Sequence, residues 1–438
     1  SSFEWRSTMS VQFVRDPEAK IHEEGAIKLI CAAFRSHEAG LPEWIKNSSD
    51  AYARIDAPSE ERNIVIFFRN KKRNQSGVIA CLDFVGMTTS DIENRFRIWA
   101  DPDAAGGNMI IEGIQGGHGN GGKCYMTQMF DDYSLIHTVK NGRGNRYGFV
   151  SGSTIPGYFP DREKGKDFKV KSVIEELASA LNEIDANVDA LPKSVKTLLP
   201  KLNGFSLVKG VEPKGKVPVQ SLIESITSHP QMITTIQICN IFIIVDGKLI
   251  DDHPLKLEDI EPLPDAKSPK IIPIPDTLID PVTSEIVNTC DEKHEKGYLA
   301  LKTSNKSMRY KLKYRHCIMY VARKKVVGFK DIYDFAKLYY TDRIYGECIL
   351  EILENYKTNE RKTLAESPLT RALETWIREN IEEYAKEFVK LDKLRASQEQ
   401  KEELIRINNV LNEWKNQFLK DMGIGITGKD DGPGTRKK

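Results

Sequence analysis

At 438 residues the chain is long enough for two or three domains and a sizeable core. Its 64 Lys and Arg nearly balance 63 Asp and Glu, leaving a formal charge of +1, so no global field recruits nucleic acid or a membrane, although a local basic patch stays open. Seven cysteines (31, 81, 124, 239, 290, 317 and 348) lack Cys-x-x-Cys spacing, which predicts reduced thiols rather than a disulfide or zinc framework. No apolar run approaches the ~20 residues of a membrane span, and the opening around Glu4 and Arg6 has no signal-peptide core. The expectation is a cytoplasmic protein with no membrane partner.

Helices are predicted over 18–36 and 42–56, the second opening at Pro42, whose fixed φ and missing N–H suit a first helical turn. On it Glu43, Asn47 and either Asp50 or Ala51 share one face, at spacings of four and about seven. An Asn carbonyl is a hard oxygen ligand suited to Mg²⁺, whose remaining ligands are water and phosphate. A Glu one turn earlier is placed to orient and deprotonate an attacking water. The bland alternative is an amphipathic helix with a solvated Glu.

Strands are predicted over 62–70 and 77–84. Asp83 closes the second, ahead of Phe84-Val85-Gly86-Met87; a carboxylate there can accept from the exocyclic amine of adenine, or simply end a strand in a turn. A helix near 89–99 precedes Gly116-Gly-His-Gly-Asn-Gly-Gly-Lys123. In that loop Gly116, Gly119 and Gly121 let backbone N–H groups approach phosphate oxygens. A helix from Gly121 to Asp131 adds a favourable dipole, and Lys123 a point charge. The alternative is a floppy surface loop. The P-loop pattern Gly-x-x-x-x-Gly-Lys-Ser/Thr is absent.

Strands at Tyr133–Val139 and Tyr147–Val150 flank the turn Asn141-Gly-Arg-Gly-Asn, helical patterns cover 171–186 and 191–200, and a strand covers 204–211. Residues 1–211 thus predict an α/β sandwich: a mixed, mainly antiparallel sheet with helices on one face. Pro213, Gly215 and Pro218 mark a linker. Beyond it, 212–355 predict an α+β unit: a helix over 219–228, a β-rich run Ile233–Val245 ending in the hairpin signal Asp246-Gly247, a proline-rich exposed loop over 254–283, and strands at 298–303, 309–313 and 316–328.

Over 356–421, Ser367-Pro368 starts a helix whose Leu373, Ile377, Ile381, Tyr384, Phe388 and Leu391 step by threes and fours. Ser397 with Gln400 forms a capping box for a second helix carrying Leu404, Ile407, Leu411, Trp414 and Phe418. Together they predict a helical hairpin or coiled-coil arm, or packing back on the preceding unit. The tail 422–438 is glycine-rich, ends in Arg436-Lys437-Lys438 and is expected to be disordered.

A Glu43-x-x-x-Asn47 helix, a strand-ending Asp83 and a glycine-rich loop, in that order, resemble the GHKL superfamily of gyrase, heat-shock chaperone, histidine kinase and MutL ATPases. The string Asn47-Ser-Ser-Asp50-Ala51 is similar to that of the heat-shock chaperones; Gly116-x-x-Gly119-x-Gly121-x-Lys123 looks most like the MORC ATPases. The resemblance implies a Bergerat-type ATP-binding domain followed by a transducer-like domain, and an ATP hydrolase using Mg²⁺. It makes Glu43 the general base and Asn47 the Mg²⁺ ligand. Asp50, Ala51, Asp83, Gly86, Met87, Gly116, Gly119, Asn120, Gly121, Lys123 and Ser206 would line the ATP site, with 88–115 as a mobile lid.

Two departures stand out. Asp83-Phe84-Val85-Gly86 lacks one glycine of the family's Asp-x-Gly-x-Gly, and Gly204-Phe205-Ser206 stands where the family has Gly-Thr. The resemblance also implies a lysine sent back to the γ-phosphate from the second unit, for which Lys302 and Lys306 are candidates, either being equally an ordinary surface lysine. Only His22 and His37 precede Glu43, with too little helix for a phosphoacceptor dimer, so kinase activity is not expected. The implied function is an ATP-dependent homodimeric clamp, on nucleic acid as in MORC or MutL and in a role such as bacterial genome defence. The alternatives are a chaperone-like clamp on protein clients and a nucleotide-sensing module with slow hydrolysis.

Overall fold

The computed structural model describes residues 22–32, 36–99, 120–159, 167–264, 266–291, 294–310, 312–323, 325–358 and 363–421. Two consecutive apolar strands organise its first half. In β1 (Asn63–Arg69) and β2 (Val78–Asp83) nearly every residue is buried, so neither face of this sheet centre is given to water. Ile64, Ile66 and Phe68 point into one core, Val65 and Phe67 into the other.

The rest of the sheet builds outward from that pair. Its other strands are β3 (Tyr133–Lys140), β4 (Arg143–Val150), β5 (Gly157–Tyr158), β6 (Phe168–Lys169), β7 (Gly204–Val211), β8 (Asn240–Val245) and β9 (Lys248–Leu249). Among the described residues this is a nine-stranded sheet ordered β5-β4-β3-β7-β2-β1-β8-β9, with β6 also on β4. Every pairing is antiparallel except β1 with β8, which run parallel. Asn141 and Gly142 alone turn β3 into β4, both with positive φ, a tighter hairpin than the five-residue turn expected.

The helices preceding and within this sheet are α1 (Glu23–Cys31), α2 (His37–Arg54), a single turn α3 (Thr89–Asp91), α4 (Gly121–Gln128), α5 (Val173–Asn182), α6 (Lys193–Leu198), α7 (Val219–Ser228) and α8 (Ile233–Ile238). Helices α2, α4, α7 and α8 bury Leu41, Trp44, Ile45, Tyr125, Leu222 and Ile236 on one face. Helices α5 and α6 bury Leu177, Leu181 and Val195 on the other. The expectation of helices on one face is therefore corrected: the continuous apolar character of β1 and β2 needs cover on both sides.

Three further readings change. Helix α2 starts at His37, capped by Ser36 Oγ on the Ala39 N–H at 3.2 Å, so Pro42 lies inside the helix instead of opening it. The run Ile233–Val245 splits into α8 and β8, and β8 joins the first sheet because Ile241 and Ile243 complete the core beneath α2. The turn after Val245 is the expected hairpin, with Asp246 and Gly247 both at positive φ.

The second half holds a five-stranded sheet, ordered β10 (Lys270–Pro273), β13 (Tyr298–Thr303), β16 (Ile344–Ile349), β14 (Cys317–Ala322) and β15 (Lys325–Asp331). A ribbon of β11 (Thr277–Ile279) and β12 (Ile286–Asn288) lies beside it. The proline-rich stretch 254–283 thus contributes β10 and β11 instead of being loop throughout. The strand expected over 309–313 is replaced by a 3-10 turn at Lys313–Arg315. After the short α9 (Ile332–Phe335), β16 supplies a central strand that sequence reading passed over.

One continuous helix, α10 (Pro368–Asp421), replaces the expected hairpin. Between Leu391 and Leu404 there is neither Gly nor Pro, and Ala, Gln, Glu, Lys and Arg dominate, so nothing stops the helix and Ser397–Gln400 does not act as a cap. Its first half buries Leu373, Ile377, Ile381, Tyr384 and Phe388 against the second sheet. Arg371 anchors it by a paired contact with fully buried Asp280, Nε and Nη2 donating over 3.0 and 2.6 Å. Farther along, Leu404, Ile407, Leu411 and Trp414 are exposed. No helix among the described residues is long and apolar enough to cross a membrane.

Candidate functional site

Helix α2 is wedged between the first turn of α4 and the end of β2, and its sequence shows why. Trp44 stacks on Phe130 at 5.6 Å and tilts against Tyr125 at 4.5 Å, while its Nε1 donates to the Gly122 carbonyl over 3.1 Å. His37 secures the same aromatic cluster, its ring nitrogens contacting Tyr125 Oη (2.9 Å) and the Lys214 carbonyl (3.0 Å). Burial lowers the His37 pKa, against the Lys214 carbonyl and the Glu38 charge, which favour the protonated ring.

This packing sets Glu43 and Asn47 against the N-terminus of α4. A Cβ at Gly121 would fall 2.2 Å from Glu43 Oε2, and one at Gly122 would fall 2.6 Å from Asn47 Nδ2. A side chain at either glycine would push Glu43 or Asn47 out of its place. The other Glu43 oxygen, Oε1, receives the ammonium of Lys46, which also donates to Gln231 Oε1 over 2.9 Å. Glu43 is 21 % exposed and Lys46 is 5 % exposed in their side chains. Asn47 is exposed, Asp50 is buried, and Ala51 packs on the core beneath.

The far end of α2 reaches Asp83. Ser48 Oγ donates to Asp83 Oδ2 over 2.9 Å, and the Val85 N–H donates to Oδ1 over 3.1 Å. Tyr52 Oη accepts from the Phe84 N–H and donates to the Asn63 carbonyl, fixing the chain just past the carboxylate. Burial pushes the Asp83 carboxyl up to about 6, against these hydrogen bonds and the Lys140 charge, which favour the ionised form. At Gly86 the backbone turns with φ +76°, and a Cβ would sit 2.1 Å from the Val139 carbonyl.

Asp83, Ser206 and Thr138 lie in one row across β2, β7 and β3. Thr138 Oγ1 donates to the Phe205 carbonyl and accepts from the Met87 N–H, both at 2.8 Å. Its single proton is thereby spent, so the 2.9 Å contact with Ser206 has Ser206 as donor. Ser206, proposed from sequence, is thus beside Asp83, and Thr138 is a polar partner that sequence reading missed.

Gly116 and Gly119, with most of the expected lid, lie outside the described residues. Asn120 precedes the first turn of α4. Lys123 is buried; its ammonium donates to the Ile98 carbonyl and stands 4.8 Å from the Trp99 ring centroid. It therefore faces Phe96, Ile98 and Trp99, which lie within the expected lid. Beside it, Cys31 Sγ of α1 meets Cys124 Sγ of α4 at 2.7 Å, both as free thiols. Lys302 is ion-paired with Glu347 inside the second sheet and Lys306 is exposed; neither has a described contact with α2 or α4. A cavity of about 670 Å³ opens between α1, Trp99 and Tyr147, outside this row of α2 residues.

No family model and no curated protein matches the chain. Among solved structures, the ATPase region of Saccharomyces cerevisiae topoisomerase II is similar at 10% identity, over 79% of this chain and 84% of that one, with a TM-score of 0.35. With so loose an overlap, the residues of the site carry the functional reading themselves.

Lys46, Ser48, Thr138 and Gln231 are polar residues to which the sequence reading gave no role. Ser48 and Lys46 had a signal, since each adjoins Asn47 on a helix already singled out. Thr138 had none, because its role depends on strands β3 and β7 pairing across the chain.

Proposed function

We propose that the chain is a Mg²⁺-dependent ATPase of the GHKL type. One observation carries this: a single helix, α2, sets Glu43 and Asn47 against the glycine-rich start of α4 while Ser48 on the same helix holds a buried carboxylate at the end of β2. That layout suits a nucleotide lying along the helix, phosphates at α4 and adenine at Asp83. The N-terminus of an eight-residue helix beginning Gly-Gly offers N–H groups and dipole to the phosphates. Asp83 accepts from the adenine amine, with Ser206 and Met87 beside it and Asp50 and Ala51 beneath.

Among the described residues no group of three or more His, Cys, Asp and Glu stands together as a metal cage. Asn47 offers one neutral ligand, which fits an ion that takes its other oxygens from phosphates and water. When bound, the cation neutralises charge building on the phosphates. Glu43 orients the attacking water and takes its proton; Lys123 adds positive charge once it leaves Ile98 and Trp99.

In the same reading the nucleotide-binding unit runs through Leu249, not 211, because β8 and β9 belong to its sheet. The second sheet serves as the transducer-like unit, and ATP drives two copies together as a clamp on nucleic acid. The exposed apolar residues of α10 support a further contact between copies.

The test is hydrolysis and binding measured side by side. The wild type should release phosphate from ATP only with Mg²⁺, and Glu43→Gln should lose about 10²–10⁴-fold in turnover while still binding a fluorescent ATP analogue. Wild-type turnover in Glu43→Gln would remove Glu43 as the base, and no Mg²⁺-dependent turnover in the wild type would remove the ATPase reading. Acceleration by DNA supports the nucleic-acid client; acceleration only by unfolded protein would transfer the clamp to a chaperone role.

A further inference from the structure

Glu43 has two oxygens with two different neighbours. Oε1 takes the ammonium of Lys46, whereas Oε2 faces Gly121 at the start of α4, where the nucleotide phosphates are proposed to lie. Lys46 is itself buried and held from the other side by Gln231. Gln231 comes from the 3-10 turn Pro230–Met232, which follows α7 in the chain. That turn is tied down in its own right: the Gln231 N–H donates to His229 Nδ1, and the His229 ring packs edge-on against Phe329 of β15 at 5.5 Å.

We infer that Lys46 is a positioning residue for the base: it pins one Glu43 oxygen so that the other is aimed at the attacking water, and Gln231 fixes Lys46 in that task. The inference rests on the ATPase reading above. A freely rotating glutamate samples several rotamers about its outer bonds, and fixing it through a buried cation removes most of them before substrate arrives. A Lys three residues after Glu lies on the same helix face, so it reaches the carboxylate without distorting α2. The burial of Lys46 would be costly without these partners, which ties its placement to them. Neither Lys46 nor Gln231 contacts nucleotide in this scheme, so both act on the chemical step and not on binding.

The experiment is steady-state ATP turnover for Lys46→Met, Lys46→Arg, Gln231→Met and the double variant Lys46→Met/Gln231→Met, with affinity for a fluorescent ATP analogue measured on each. Lys46→Met should lower kcat about 10–100-fold, the cost of a misplaced group, with analogue affinity within about twofold of wild type. Lys46→Arg should recover part of that loss. Gln231→Met should lower kcat less, and the double variant should be no worse than Lys46→Met, because the two act in series. A merely structural role predicts the opposite split, with analogue affinity and thermal stability falling together with kcat; that result overturns the inference. So does wild-type kcat in both Lys46→Met and Gln231→Met while Glu43→Gln is inactive, which leaves the ATPase reading standing. Wild-type turnover in Glu43→Gln removes Glu43 as the base and this inference with it, whereas no Mg²⁺-dependent turnover in the wild type removes the ATPase reading itself.

Discussion

Ser48 and Asp83 are joined by a 2.9 Å hydrogen bond, so the residue next to Asn47 on α2 holds the carboxylate that ends β2. The two ends of the proposed nucleotide site are therefore linked through one turn of one helix. A shift of α2 moves both.

The same carboxyl gives a pH dependence. Burial raises Asp83 from 3.8 to about 6, so between those values it keeps a proton in the folded protein that the unfolded chain has lost. That contribution to stability is complete below the unfolded pKa and disappears as pH rises through about 6; it is on the order of 3 kcal/mol. Denaturant unfolding at pH 4 and pH 7 should show it in the wild type and not in Asp83→Asn. Nucleotide binding has the opposite sense: ATP affinity should fall as pH drops below about 6, because the protonated oxygen no longer accepts. Asp83→Asn should flatten that profile and weaken ATP more than GTP. Equal affinity of the wild type for ATP and GTP would remove Asp83 from adenine recognition.

Asn47→Ala deletes the one side-chain oxygen offered to the cation. Titration calorimetry with ATP should show wild-type binding strengthened by Mg²⁺ and the variant indifferent to it. An unchanged Mg²⁺ dependence in the variant would place the ligand elsewhere.

Lys123 and Trp99 provide an optical signal. The ammonium now stands 4.8 Å from the indole ring centroid, and recruitment to phosphate would remove it. Tryptophan emission should therefore change when an ATP analogue binds to wild type, and the change should be lost in Trp99→Phe. A response that survives in Trp99→Phe would show that another tryptophan reports.

Gly86→Ala should be destabilising for two reasons: its φ is +76° and the new Cβ would lie 2.1 Å from the Val139 carbonyl. The backbone strain alone is about 1–3 kcal/mol. The apparent melting temperature should fall and nucleotide affinity should weaken, since Met87 and Asp83 flank the displaced turn. Wild-type stability would mean that the turn relaxes at no cost.

Dimerisation can be divided along α10. Residues to Leu391 pack on the second sheet, whereas Leu404, Ile407, Leu411 and Trp414 are exposed. A chain cut after Leu391 should keep its core, remain monomeric with ADP and dimerise with a non-hydrolysable ATP analogue, as light scattering would record. A wild-type dimer without nucleotide that the cut abolishes would instead locate self-association in the distal helix.

Local signals carried much of the first sheet. The strand over 204–211 and the helix over 219–228 fall where periodicity put them, and Asp246-Gly247 turns β8 into β9. What was illegible depended on partners far away in the chain. Val65 and Phe67 look no different from Ile64 and Ile66, yet they require α5 and α6 as cover on the second face. β16 was missed because Gly346, Glu347 and Cys348 break any alternation; its centre is fixed by β13 and β14 on either side. At the site, residue types at helical spacing drew attention to Glu43, Asn47 and Asp83, while Thr138 and Gln231 matter only through contacts that spacing does not encode.

The parallel pairing of β1 with β8 has a consequence for the order of synthesis. Asn63 through Phe68 hydrogen-bond along Asn240 through Val245, a partner made long after the strand it completes. Until then one edge of an almost wholly apolar strand has no neighbour, and its backbone groups can template onto another chain. Closing so distant a contact is slow compared with forming the β3–β4 hairpin. A nascent chain halted ahead of Asn240 is thus a sticky species, and the ribosome must deliver β8 before the first sheet is safe from its own copies.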